Sequence, residues 1–465
     1  MPGPPSDTRP RRTIWPEGVC WDERLASSPA VSAGGWVFSS NQLPTDYRNA
    51  LAPEAAGDPG NPFAHSAVEK EAAFVIERLR RTFAAAGADL ATEAARMYWW
   101  LPARKPTLDG FADGSNWTGI EDLTPVHEAR EREVTTPAPG STGIGVRELL
   151  AAEASISTAA IAVEIGPGRE RQSVPAPASM APIPDTPAVR FGDWIFTVGV
   201  IASDWHGDFG SELHLGPPSL VDPATRTNPY VWFGSEVEAQ MDQMLETLSA
   251  IADQAGCSLD RCVKAEVYLG HPRDLYAVER AWRRWFPERP PARTLMPYSG
   301  ISGAGCRAEI ALVLLAGEEP LHTIETSEAP EPLWHEPQAI RAGDLLFVSN
   351  QLPLGNDGVV PPALRAGGAF PHLRDTSRNQ AELVLENIDT ICRAGGTGLD
   401  QVCRRTAFYS DLRHFTGAAA AWRSAFAADQ APAAIDLGVG RDGGWPLLVP
   451  EALMQVDAIA YAGRQ

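Results

Sequence analysis

Three times along the chain, a pair of short apolar runs is split by two residues that include glycine. Residues 31–33 and 36–40 flank Gly34-Gly35, residues 189–191 and 194–198 flank Gly192-Asp193, and residues 340–342 and 345–349 flank Gly343-Asp344. Alternation about a two-residue turn that tolerates positive φ predicts a β-hairpin each time. A stripe at helical spacing follows every hairpin. Ala72, Ile76, Leu79 and Phe83 share one face. So do Met241, Leu245, Leu248 and Ile251, and then Ala381, Val384, Leu385, Ile388 and Ile391. Ser66 with Glu69 and Ser235 with Glu238 have capping-box spacing, and all three stripes end in Ala-Gly, at Gly87, Gly256 and Gly395. Such stripes are core, not cofactor contacts.

A strand is expected after each helix, over residues 95–101, 262–269 and 402–409. A second helix is expected over 275–286 and 415–426, then two closing strands, giving the order β-β-α-β-α-β-β. In the first copy residues 104–133 are rich in Gly, Asp and Pro, so no second helix is assigned there. The chain divides into a disordered or extended segment 1–27, domains 28–165, 188–317 and 338–465, and Pro-rich linkers 166–187 and 318–337. Three domains suit a chain of 465 residues.

Charge and composition narrow the function. A formal charge of −20 without a Lys/Arg cluster argues against nucleic acid as a partner. No apolar run is long enough for a membrane span and no signal segment opens the chain, so a cytoplasmic address is expected. Six cysteines form no CxxC pair and nine histidines no HxH or HExxH, which implies no disulfide framework and no metal site.

One stretch carries candidate chemistry: Pro291-Ala292-Arg293 with Glu309 beyond Cys306-Arg307. A guanidinium grips a carboxylate with two parallel hydrogen bonds, and a glutamate facing it is able to hold or move a proton. The structural alternative for Arg293 is an interface salt bridge. Cys306 as nucleophile lacks a nearby histidine in sequence. Tyr298 and Glu279 are candidate pocket-lining residues, each with an ordinary reading as loop or helix surface. The glycine-rich run 140–146 is read as a tight inter-strand turn, since it lacks the Lys-Ser/Thr of a phosphate loop.

With these pieces in place the chain resembles the RidA/YjgF family of reactive-intermediate deaminases. The resemblance is carried by Ser-Asn-Gln-Leu-Pro at 40–44 and 349–353, by Pro291-Ala292-Arg293, and by the closing strands at 161–163, 309–315 and 458–460. It implies an α+β fold of three chorismate-mutase-like domains. It also implies that the three close into an intramolecular pseudo-trimer, monomeric or paired with a second chain, with pockets at the interfaces. The family arginine for the substrate carboxylate matches Arg293, its partner glutamate Glu309, and its pocket-lining backbone position Gly199. Domain three has Ala434 and Gln455 at the first two positions, and domain one has Ser157 for the glutamate and only Arg132 as a loose match to the arginine. Domain two is therefore the expected active copy. The implied function is cofactor-independent hydrolysis of a small carboxylate-bearing imine or enamine, in a specialised biosynthetic pathway. Glu309 and Arg293 are catalytic in this reading, and Arg293, Gly199, Tyr298, Cys306 and Glu279 hold the substrate. The run 140–146 and Cys306-Arg307 are also similar to stretches of the chorismatases, although the catalytic glutamate of that frame falls on Val313. A binding module for a carboxylate metabolite is the non-catalytic alternative.

Overall fold

The computed structural model describes residues 10–48, 50–57, 67–103, 123–134, 137–165, 170–178, 180, 186–203, 221–226, 235–301, 303, 305–365, 375–427, 429–439 and 447–463. Three mixed sheets repeat one strand order. The first unit contains β1 (Arg12–Ile14), β2 (Ala30–Ala33), β3 (Trp36–Ser39), α1 (Ala67–Ala86), the single turn α2 (Leu90–Glu93), β4 (Ala94–Pro102), α3 (Thr124–Glu133), β5 (Gly140–Val146), β6 (Glu148–Leu149) and β7 (Ser157–Val163). The second contains β8 (Gln172–Val174), β9 (Ala188–Phe191), β10 (Trp194–Thr197), β11 (Val200–Ile201), α4 (Glu236–Gln254), β12 (Cys262–Leu269), α5 (Leu275–Trp285), β13 (Ala292–Pro297) and β14 (Ala308–Leu315). The third contains β15 (Leu321–Ile324), β16 (Ala339–Ala342), β17 (Leu345–Gln351), α6 (Thr376–Ala394), β18 (Val402–Tyr409), α7 (Phe415–Ala425), β19 (Ala433–Gly438) and β20 (Met454–Tyr461).

Each sheet runs from an edge strand through the hairpin to the last strand, then the middle strand, then the penultimate one, as in β8-β9-β10-β14-β12-β13. Among the described strands, only the middle and penultimate ones pair in parallel, because a helix joins them. The hairpin turns hold Gly34, Gly192 and Gly343 at φ of 56, 57 and 57°, where a side chain is strained.

Four expectations change. The Pro-rich joints each contain an edge strand, β8 on β9 and β15 on β16, matching β1 on β2. Their side chains are mostly exposed, so they carry no alternation for the sequence to display. Residues 124–133 form α3, started by Pro125 and held by Val126 and Ala129 in the apolar cluster around α1. The run 140–146 is a full strand, not a turn: β5 pairs with β4 from Arg96↔Gly140 to Pro102↔Val146. Its glycines permit close approach, since a Cβ on Gly140 would lie 2.8 Å from the Thr197 carbonyl oxygen. The third long helix places Gly396 rather than Gly395 at positive φ. Ser235 caps α4 through the Glu238 amide (3.3 Å), whereas Ser66 lies outside the described residues.

The helical stripes bury against one face of each sheet, in three separate apolar clusters. Each Leu, Ile or Met so placed contributes roughly 1.5–3 kcal/mol. The opposite faces of all three sheets share a fourth cluster, with Trp36, Phe38 and Trp100, Phe191, Tyr268 and Val313, and Phe347, Phe408 and Ile459. Trp100 stands 5.9 Å from Tyr268 and 6.4 Å from Phe408, one ring from each unit. Units meet along three seams: β5 by β10, β13 by β17, and β19 by β3. Ser40 and Ser349, from the repeated Ser-Asn-Gln-Leu-Pro, take the same place in two of them. Their hydroxyls accept from the amides of Ala434 (2.7 Å) and Arg293 (3.0 Å).

Candidate functional site

Side chains alternate along β12. Lys264, Glu266 and Tyr268 face the shared interior, and Ala265, Val267 and Leu269 face the helices. Cross-strand partners share a face, which places the two sequence candidates. Arg293 on β13 pairs with Ala265, whereas Glu309 on β14 pairs with Tyr268. The two side chains leave the same sheet in opposite directions. The structure therefore does not bring Arg293 and Glu309 to a common cavity, as the repeat comparison led us to expect.

Arg293 is wholly buried under α5. Its Nε donates to Glu336 (2.7 Å), its Nη2 to Glu279 (2.5 Å), and its guanidinium lies 4.9 Å from the Trp282 ring centre. Burial raises the Glu336 carboxyl above its ordinary range, against the pull of Arg293. The third unit repeats this device without the Pro-Ala-Arg arginine. There Arg405, one strand over, lies 4.5 Å from the Trp422 ring and pairs with Asp436. A guanidinium on the second helix's tryptophan thus recurs where position 434 is alanine.

Glu309 sits at the seam of the first and second units. Gly199 donates its amide to the Ser141 carbonyl (2.8 Å), and a Cβ on Gly199 would fall 1.9 Å from Glu309 Oε1. The carboxyl thus rests directly on that glycine, and Thr142 hydrogen-bonds it from β5. Beyond Thr142 stands Arg96 of β4, which donates through Nη2 to Thr142 Oγ1 (2.6 Å) and Glu266 Oε2 (2.7 Å) and through Nη1 to the Thr197 carbonyl. Tyr98 donates to Glu266 Oε1 (2.8 Å). Burial pushes Glu309 up to about 8, with Arg96 and the Thr142 hydrogen bond pulling down and Glu266 adding to the rise. Burial lowers the Arg96 pKa, and Glu266, Tyr98 and Tyr268 more than offset it, so Arg96 stays charged.

The remaining candidates divide between the two places. Glu279 belongs with Arg293. Tyr298 and Cys306 lie in the shared core, where the tyrosine hydroxyl donates to the Cys306 carbonyl (2.8 Å). Ile201, the cross-strand partner of Glu309, is in the same cluster. Arg132 makes a surface pair with Glu69 (3.1 Å), and Ser141 holds the place of Arg293 in the first unit, as Ala434 does in the third. Among the described residues no group of three or more His, Cys, Asp or Glu is placed to hold a metal, and no helix is long and apolar enough to cross a membrane.

The sequence model of the family described as Endoribonuclease L-PSP matches residues 176–315 and 326–462, the second and third units. The chain belongs to that family. Similar proteins include the RutC family protein PH0854 of Pyrococcus horikoshii, 29% identical over 139 residues, which are 30% of this chain and 95% of that protein. The RutC family protein y4sK of Sinorhizobium fredii is 38% identical over 95 residues, 20% of this chain and 67% of that protein. Among solved structures, RidA from an Antarctic Psychrobacter matches 30% of this chain and 98% of its own at 25% identity and a TM-score of 0.24. A chorismatase matches 79% of this chain and 93% of its own at 12% identity and a TM-score of 0.46. Family membership rests on the sequence model over the second and third units.

Sequence reading missed Arg96, Tyr98, Thr142 and Glu266. Their signal is polar residues at every second place in otherwise apolar strands, Arg96-x-Tyr98 and Lys264-x-Glu266. A methyl group on Gly199 tests the arrangement. Gly199→Ala is expected to displace the Glu309 carboxyl, lower stability by about 1–3 kcal/mol through overpacking, and shift the Glu309 titration, read by urea midpoints across pH.

Proposed function

We propose that the chain is a cofactor-independent hydrolase of the RidA type, acting on a small carboxylate-bearing imine or enamine, with Glu309 as its proton donor. One observation carries the reading: a carboxyl sealed on Gly199 at a seam and pushed up to about 8. Such a group is protonated at neutral pH yet close enough to ionise, as general acid catalysis needs. Water adds to the C=N carbon, forming a C–O bond, while the Glu309 proton goes to nitrogen. Of the two protons of the former water, one returns to Glu309 and the other passes to nitrogen as the carbinolamine collapses, expelling ammonia and forming C=O. Arg96, across the seam and already paired with Glu266, is a cation that acts on Glu309, and its field favours a substrate carboxylate there; Arg293 keeps a structural role.

The seams and the shared core support a closed intramolecular ring of three units whose seams differ. Light scattering should then give the mass of one chain, 50.0 kDa, or of a pair. Incubation with freshly generated 2-iminopropanoate, read by mass spectrometry, should give the keto acid faster than buffer alone. Consumption of chorismate instead would move the reaction to enol-ether hydrolysis, and binding of either without turnover would leave a binding module.

A further inference from the structure

The three middle strands carry a cation at one register: Arg96 opposite Gly140, Lys264 opposite Ala292, and Arg404 opposite Ala433. All three are buried, and aromatic rings from each unit lie further along the same face. Two have a carboxylate of their own. Arg96 pairs with Glu266 (2.7 Å), and Lys264 pairs with Asp457 (3.1 Å). Among the described residues Arg404 has none in contact. Its Nη2 donates to the Tyr98 hydroxyl (3.2 Å), its guanidinium lies 4.8 Å from the Tyr98 ring centre, and its Nε and Nη1 have no hydrogen-bond partner. Arg96 stands over the same ring at 5.1 Å, so Tyr98 is flanked by two guanidinium groups.

A buried guanidinium with unanswered donors is costly unless a counter-charge accompanies it. Among the described residues, Arg96, Lys264 and Arg404 face Glu266 and Asp457, leaving one positive charge over. Glu309, protonated below about pH 8, does not supply the missing charge at neutral pH. We propose that Arg404 binds one small monovalent carboxylate where the three sheets meet, on the side of its guanidinium away from the Tyr98 ring. The deficit of one charge sets a monoanion, and a charge-assisted bond from an orphan donor, Nε or Nη1, suits a carboxylate oxygen. Aromatic walls and full burial favour an acid of a few heavy atoms. The site adjoins the proposed reaction centre through Tyr98 and Arg96, but acetate binding at Arg404 is read independently of turnover at Glu309.

Acetate is the probe. At pH 7, equilibrium dialysis of the intact protein against labelled acetate in a chloride background should find one acetate per chain, or else denaturing the desalted protein should release one equivalent of a small acid. Arg404→Met should lower acetate binding at least ten-fold, and Glu309→Gln should leave it in place. If Arg404→Met does not fold, Arg404→Lys should weaken binding while keeping one site. Neither uptake nor release by the wild type would overturn the proposal. So would binding unchanged in both Arg404 variants, or displacement of acetate by equimolar chloride.

Discussion

Glu309→Gln should cut turnover of the imine substrate by about 10²–10⁴-fold, the usual span for losing a positioned acid, while leaving the fold intact. Glutamine keeps the size of the side chain and a hydrogen bond to Thr142, so the seam with Gly199 persists. The titration gives a second readout. Glu309 is raised from 4.5 to about 8 by burial, so between those values the folded chain holds a proton that the unfolded chain has released. Stability must then fall as pH rises through that window, being full below about 4.5 and lost above about 8. A shift of this size corresponds to a few kcal/mol at most. The variant has no such proton. Its urea midpoint should stay flat where the wild type declines, and should exceed the wild type's above pH 8. Wild-type turnover should also decline above pH 8 as the acid ionises. A variant that keeps both full activity and the wild-type slope would remove Glu309 from the mechanism.

The fold was legible because each local signal agreed with the others. Glycine-turn hairpins, apolar helix stripes and Ala-Gly stops occur in the same order three times, and the strands follow. What was not legible depended on faces and partners. Arg293 and Glu309 look adjacent in sequence order, yet a difference of three places along β12 between their partners Ala265 and Tyr268 puts them on opposite sides. That register is set only when the sheet forms. Arg96 and Thr142 come from the first unit, the copy whose sequence departs most from the pattern, and residue spacing holds no trace of a contact made across 170 positions, as between Arg96 and Glu266. Glycines at 140, 143 and 145 hid β5, because a strand that must let another chain segment approach gives up the side chains by which strands are recognised.

Arg293→Ala should be among the most destabilising single changes in the chain and should spare the chemistry. Removing the guanidinium leaves Glu336 and Glu279 facing each other beneath α5 with only the exposed Arg283, 4.0 Å from Glu279, as an ion-pair partner, and Trp282 without the cation over its ring. Breaking a buried pair on one side costs about 3–5 kcal/mol, which should appear as a large drop in the urea midpoint. Glu336 carries most of that penalty, being the deeper of the two carboxylates. Adding Glu336→Gln and Glu279→Gln to Arg293→Met should therefore recover much of the loss, since apolar and neutral groups of similar volume remove the unpaired charge. Turnover per folded molecule should remain close to wild type, because the side chain leaves the sheet on the face away from Glu309. A well-folded Arg293→Ala protein with abolished turnover would show that the reacting centre lies on the helix side of β13, and would return the carboxylate grip to Arg293.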